Sequence, residues 1–280
     1  KTTLLNIANG LLHPTRGAMF ISGTQVAGPD RNRAMVFQDP SSNLNPLSSI
    51  GRQVTDTILC RMGRGSVLKL SPFGSLLPAA RKDRKAARDK GIKLLEKVGI
   101  ENPIDLYSLY PFQLSGGMKQ RTLIAMALGG DPSLLIADEP TTDLDVSIQA
   151  QVLRLIRELV RDLQLSVLYI THDLGVVSQL CNRVAVMYAG NIVEYGEVGP
   201  VLFSPKHPYS VGLMNATPRS SREQGRLQSI PGTVPSLYNP PSGCRFHTRC
   251  AFVKPECKVG SVPDTVNISE NHQVACHLYD

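Results

Sequence analysis

The sequence lacks tryptophan altogether and carries only seven phenylalanines and eight tyrosines in 280 residues. A protein whose main work is stacking on exposed nucleobases needs more aromatic surface, so that class is disfavoured. No run of about eighteen apolar residues occurs, so no segment is expected to cross a bilayer as a helix. The first residues also lack the apolar core of a secretory signal. Cysteine is scarce before residue 240, where only Cys60 and Cys181 occur, and then crowded, with Cys244, Cys250, Cys257 and Cys276. That distribution argues against a disulfide scaffold and for metal ligation in a reducing compartment. Cys60 and Cys181 are expected to be ordinary small apolar residues.

What is present is an ordinary globular composition. A hydrophobic content of 42% can supply a full core. The length suits one large domain with a smaller appendage. The net charge of +7 comes from 30 basic against 23 acidic residues, with much of the excess between Arg61 and Lys93. A basic cluster can meet nucleic acid or an anionic membrane. With Asp83 and Asp89 interspersed, a solvated helix face is the favoured reading.

Periodicity predicts the elements. "KTTLLNIANGLL" reads as a helix with Leu4, Leu5, Ile7, Ala8, Leu11 and Leu12 on one stripe. "GAMFISG" and "AMVFQD" read as short strands around the Gly28-Pro29-Asp30 turn. Residues 41–130 show helical patterns and no strand. "PSLLIADEP" and "SVLYITHD" have the continuous apolar form of buried parallel strands. Between them, "SIQAQVLRLIRELVRDLQ" keeps the helical period. "RVAVMYAGNIVEYGE" reads as a hairpin turning near Gly190-Asn191. Strands alternating with helices, with polar residues at strand ends, imply an α/β sheet whose site lies along one edge. After about residue 200 proline density rises and periodicity fades, marking a second, irregular module.

Four stretches carry chemistry. Asp138 ends a buried strand, where a carboxylate can hold Mg²⁺, and the adjacent Glu139 is free to polarise water. Ser115, Gly116 and Gly117 precede a strong helix, where glycine admits a phosphate close to backbone N–H groups and the helix terminus favours negative charge. His172, after the second buried strand, can contact a developing oxyanion. Gln38 offers an uncharged oxygen at another strand end, able to touch Mg²⁺ or the attacking water. Taken singly, each has a plainer reading: a solvated strand end, a capping turn or a structural histidine.

In this order, "VFQDP", "LSGGMKQR", "LLIADEPTTDLD" and "YITHD" resemble the Q-loop, signature, magnesium-aspartate strand with D-loop, and H-loop of ABC-transporter ATPases. The resemblance spans residues 1–200, with a helical subdomain over about 41–130. It implies an α/β fold of the ABC-type P-loop ATPase class and hydrolysis of ATP. On that pattern Lys1, Thr2 and Thr3 match the end of the phosphate-binding loop, and Thr2, Gln38 and Asp138 surround Mg²⁺. Glu139 activates water, His172 stabilises the γ-phosphate, and Asp145 couples two sites. Ser115, Gly116 and Gly117 would meet nucleotide held by a second ATPase subunit packed head to tail. Met118 stands where many relatives carry glutamine. The family's glycine arch precedes its lysine, and this sequence begins at Lys1, so it is expected to be part of a longer chain.

The tail over 201–280 resembles the C-terminal extension of oligopeptide and dipeptide importer ATPases, through "SPKHPYSVGLMNATPR", "LQSIPGTVPSLYNPPSGCRFHTRC" and "HQVACHLYD". This implies peptide import powered from the cytoplasmic face of the membrane. The partners would be two separate transmembrane permease subunits and an extracytoplasmic solute-binding protein, without nucleic acid. A soluble ABC ATPase acting on nucleic acid or ribosomes is the alternative. The spacing C-x5-C-x6-C-x18-C lacks the tight pairs of structural zinc. It suits a cuboidal cluster at least as well, and relatives with this tail are understood to hold [4Fe–4S]. Zn²⁺ through four cysteines, or three and one of His247, His272 and His277, remains open, as does no metal. Such a centre would staple a tail that cannot build its own core. "NIS" at Asn267 matches a glycosylation sequon that a cytoplasmic chain would not present.

Overall fold

The computed structural model describes residues 1–63, 78–142, 144–217 and 229–280. The part of the basic stretch over 64–77 lies outside the described residues. The chain divides into two compact units, Lys1–His172 and Asp173–Asp280. Among the described residues no helix is long and apolar enough to cross a membrane.

The first unit is built on three parallel strands, β3 (Arg33–Val36), β4 (Leu134–Asp138) and β5 (Ser166–Ile170), with β4 central. A two-stranded hairpin, β1 (Phe20–Ile21) and β2 (Thr24–Gln25), precedes them. Ala34, Met35 and Val36 of β3 and Leu135, Ile136 and Ala137 of β4 are all buried. That is why β4 reads as a continuous apolar run, whereas β5, read the same way, has no buried residue. α1 (Thr2–Ala8) lays Leu5 and Ala8 on Met35 and Ile136. It stops four residues short of the apolar stripe read from the sequence. Gly10, at φ +77°, turns the chain away, and a Cβ there would sit 2.1 Å from the Gly28 carbonyl oxygen. Leu11 and Leu12 therefore lie outside the helix and are exposed.

The helices expected over 41–130 are α2 (Ile50–Arg61), α3 (Pro78–Lys97), α4 (Pro103–Leu106) and α5 (Gly116–Leu128). α3 packs on both α2 and α5. Ile50, Val54 and Ile58 of α2, Ala87 and Leu95 of α3, and Ile124 and Leu128 of α5 are buried. Cys60 of α2 is exposed, so it is a surface residue and not the small core residue its type suggests. α6 (Val146–Leu163) crosses from β4 to β5 and buries Val152, Leu155, Ile156 and Leu159 at helical spacing.

The second unit starts with α7 (Leu174–Leu180) and an antiparallel sheet of order β6-β7-β9-β8. β6 (Arg183–Tyr188) and β7 (Asn191–Glu197) form the expected hairpin, with Ala189 and Gly190 at positive φ in its turn. α8 (Val198–Phe203) and α9 (Pro208–Asn215) follow. The tail then adds β8 (Val266–Ser269) and β9 (His272–Val274). β9 pairs with β7 through Glu194↔Val274 and Gly196↔His272. This pairing puts 183–197 in one compact unit with the tail, although the motif reading sets a boundary near residue 200. It also gives the tail regular strands where proline content and lost periodicity suggested irregular chain.

Candidate functional site

The parallel register sets the site. Val36 lies opposite Ala137, and Asp138 opposite Ile170. Gln38, Asp138, Glu139 and His172 therefore leave the sheet at one edge, the carboxyl ends of β3, β4 and β5. Polar groups collect there because the strands' interiors are spent on core.

Glu139 is the centre of this edge. Its backbone N–H donates to Ile170 O at 3.0 Å, and its φ is +46°, the left-handed region. For a non-glycine residue, here one preceding Pro140, such a conformation costs on the order of 1–3 kcal/mol and recurs at functional sites. One carboxylate oxygen, Oε1, lies 3.4 Å from Lys1 Nζ. The other, Oε2, accepts from the Thr142 hydroxyl at 3.1 Å and lies 3.0 Å from His172 Nδ1. Burial alone would raise this carboxyl's pKa, but the Thr142 hydroxyl, His172 and Lys1 together outweigh it and hold the group below its ordinary value. Glu139 is thus an anion at neutral pH, gripped from both sides. Asp138 beside it is buried at the end of β4.

Lys1 stands at the N-cap position of α1, with Thr2 and Thr3 in its first, exposed turn. Gln38 is exposed on the loop after β3, which Asp39 tightens by accepting from Ser41 N and Asn43 Nδ2 at 2.7 and 2.6 Å. Lys119 of α5 donates to Ser41 Oγ at 3.2 Å, so the Gln38 loop is tied to the helix that follows Ser115. Ser115 caps that helix by accepting from Met118 N. A Cβ on Gly117 would approach Ile148 Cγ2 to 2.8 Å, so only glycine lets α5 start this close to α6. Asp145 caps α6, accepting from Ile148 N at 2.9 Å. Lys1, Glu139 and His172 are thus brought into contact. Ser115, Gly116, Gly117 and Asp145 form a second group around the start of α6.

Sequence reasoning missed Thr142. The signal was a hydroxyl three residues after the acid in "EPTT", but nothing local says which carboxylate it serves. The left-handed backbone of Glu139 was equally hidden.

In the second unit Cys244 and Cys257 are core residues with Val186, Tyr188, Val193, Val201 and Phe246, and Cys250 packs against them. Cys244 N donates to Cys257 O at 3.0 Å. Burial raises the thiols of Cys244 and Cys250, and it pushes Cys276 up to about 11, where Cys244, Cys250 and Cys257 are near enough to add to the rise. The four thiols therefore share one region. Among the described residues, however, no three His, Cys, Asp or Glu side chains are placed to hold a single metal ion.

Comparison with known proteins places this architecture. The ABC transporter family model matches residues 1–142, and the chain belongs to that family, whose members are ATPases. The model for the oligopeptide/dipeptide transporter C-terminal region matches residues 193–257. A probable peptide ABC transporter ATP-binding protein from Sinorhizobium fredii is 42% identical over 99% of this chain and 77% of its own length. The dipeptide transport ATP-binding protein DppD of Bacillus subtilis is 42% identical over 88% of this chain and 68% of its own. Among solved structures, the ATP-binding cassette MJ0796, dimeric in a post-hydrolysis state with ADP and Pi, superposes with TM-score 0.54 at 26% identity, covering 70% of this chain and 80% of that one. CbiO1 of Clostridium perfringens, part of the transporter complex cbiONQ, gives TM-score 0.57 at 25% identity, covering 80% and 78%.

Proposed function

We propose that this chain is the ATP-hydrolysing subunit of an importer of di- and oligopeptides, peripheral on the cytoplasmic face of the membrane. The observation that carries the reading is the joint occurrence, in one chain, of the ABC transporter match and the oligopeptide/dipeptide transporter C-terminal match. The substrate is MgATP. A single buried carboxylate suits that complex, because Mg²⁺ retains waters and the nucleotide's own phosphates as ligands and needs no cage of acids. Asp138, Thr2 and Gln38 would face the ion, and Lys1 and Thr3 the phosphates. Glu139, ionised and aimed by Thr142 and His172, would orient the attacking water and take its proton. His172 would then lie beside the charge that develops on the transferred phosphoryl group.

Ser115, Gly116 and Gly117 would serve nucleotide on a second ATPase subunit, with Asp145 between the two sites. Two membrane-spanning permease subunits would take up the motion, and an extracytoplasmic binding protein would deliver the peptide. An ATPase acting on nucleic acid is not favoured.

The loose spacing of Cys244, Cys250, Cys257 and Cys276 is what supports a [4Fe–4S] cluster as a cross-link of the tail, although among the described residues no three side chains are placed to hold a metal ion, whether zinc or cluster iron.

The test is reconstitution of the natural chain with its permeases in vesicles. MgATP hydrolysis and peptide uptake should appear together, and Glu139→Gln should lower hydrolysis about 10²–10⁴-fold while MgATP still binds. Hydrolysis indifferent to Glu139, or stimulated by nucleic acid and not by peptide, would overturn the reading. Metal analysis of protein purified without oxygen should find iron, and stoichiometric zinc would replace the cluster.

A further inference from the structure

Arg33 is a buried cation with no acidic partner among the described residues. It is 6% exposed, and its guanidinium is spent on backbone oxygens: Nη1 donates to Ala8 O at 3.1 Å and Nη2 to Gly28 O, while Nε has no hydrogen-bond partner among the described residues. Ala8 is the last residue of α1, so the charge sits on carbonyls that the helix leaves unsatisfied and where its dipole is negative. Gly28 belongs to the turn that Gly10 must admit at 2.1 Å from a would-be Cβ, so one side chain holds both halves of that close approach. Arg33 also opens β3, and its own carbonyl accepts from Arg61 Nη1 at 3.1 Å, which pins it from the α2 side.

We propose that Arg33 is a positioning residue for nucleotide binding. α1 carries Lys1 and Thr2 at its other end, and the sheet that Arg33 enters carries Asp138 and Glu139. A helix of two turns has few contacts of its own to fix its axial position. The guanidinium at its C-terminus sets where Lys1 Nζ comes to rest, 3.4 Å from Glu139 in the present arrangement. Lys1 and Thr2 would face the phosphates and Mg²⁺, and Lys1 also lies against Glu139, so misplacing them weakens MgATP binding and lowers kcat with it. The inference rests on the ATPase reading above, and it adds a buried residue outside the groups assigned to the phosphates, Mg²⁺ and the attacking water.

The experiment compares steady-state MgATP hydrolysis, direct MgATP titration and thermal unfolding for the natural chain, Arg33→Met and Arg33→Lys. Arg33→Met keeps the stem and removes both donors, and Kd and KM for MgATP should rise about tenfold, with kcat falling alongside. Arg33→Lys should return KM to within about threefold of the natural value, because an ammonium can still donate to both carbonyls and the lost Nε made no bond. If Arg33→Met does not fold, Arg33→Gln, which keeps donors for one carbonyl, should raise KM in the same direction about threefold. A folded Met or Gln variant with natural KM, differing only in melting temperature, would make Arg33 a purely structural residue and overturn the proposal. A natural chain that neither binds nor hydrolyses MgATP would instead overturn the functional reading itself.

Discussion

The two units place their ionisable groups in opposite settings. In Lys1–His172 the working groups lie at the open edge of a parallel sheet: His172 is 65% exposed at its side chain, and Glu139 is reached by three separate groups. In Asp173–Asp280 they are sealed. Glu194, with no exposed side-chain surface, accepts from Lys206 N at 2.8 Å and His207 N at 3.0 Å and pairs with His272 Nε2 at 2.7 Å. His207, itself buried, lies among Tyr209 and Phe246. The first setting suits groups that must exchange protons and meet a ligand. The second suits groups that hold strands and loops together, since burying a polar group is costly unless it is hydrogen-bonded. What separates the two settings is access at His172, since Asp138 and Glu139 are themselves largely covered.

The sharpest way to break this comparison is at Phe246. Its ring meets Tyr188 edge-on at 5.1 Å, Tyr209 at 5.5 Å and His207 at 5.7 Å, within the core that contains Cys244 and Cys257. Phe246→Ala should destabilise the second unit by about 3–5 kcal/mol through lost burial and a cavity. It should do so with the thiols left in place, as read by chemical denaturation under reducing conditions. An unchanged midpoint would mean that the rings are not what holds the tail.

The sequence made the first unit more legible than the second for physical reasons. β4 announces itself because a strand covered on both faces is apolar without interruption, and α6 because Val152, Leu155, Ile156 and Leu159 recur at 3.6. β5 reads the same way, but none of its residues is buried and Leu168 is 38% exposed, so its apolar run does not mark a covered strand. The edge residues Gln38, Glu139 and His172 could be named because each follows such a strand within two positions. Glu139's contacts with Thr142 and Lys1 could not, because they depend on a left-handed turn and on a residue 138 positions away. In the tail, β9 has three residues, too few for any period to show, and its pairing with β7 joins segments some eighty residues apart. Glu194 stands between Val193 and Tyr195, and His272 between the polar Asn271 and Gln273, so neither shows its burial in local pattern, and only the fold reveals that they face each other.

A gentler test of the sealed unit is pH. Burial lowers the His207 pKa from 6.5 to about 4, although Glu194 pulls the other way. The unfolded chain therefore binds a proton at His207 between those values and the folded chain does not. The corresponding stability, about 3 kcal/mol, is present above pH 6.5 and is lost as pH falls through 4. His207→Asn keeps a side-chain acceptor for Tyr209 N, which now donates to His207 Nδ1 at 3.0 Å, and removes the titration. Its denaturation midpoint should fall less steeply between pH 6.5 and 4 than that of the natural chain. Equal slopes would assign the acid sensitivity to other groups.

The smallest expected effect belongs to the open site and is the most specific to it. Thr142→Val removes the hydroxyl that donates to Glu139 Oε2 while keeping the side chain's shape. With burial still acting to raise the carboxyl's pKa and one of its opponents gone, the Glu139 pKa should move up. A base must be ionised to accept a proton, so the acid limb of the hydrolysis profile should shift to higher pH. The rate near neutrality, where Glu139 stays ionised, should change by no more than about twofold. Folding stability linked to this group has the same sign, being present above the unfolded carboxylate's pKa and lost as pH falls through the depressed value. A limb that stays in place while stability drops would turn Thr142 into a fastener like Glu194, and the contrast between the two units would lose its clearest instance.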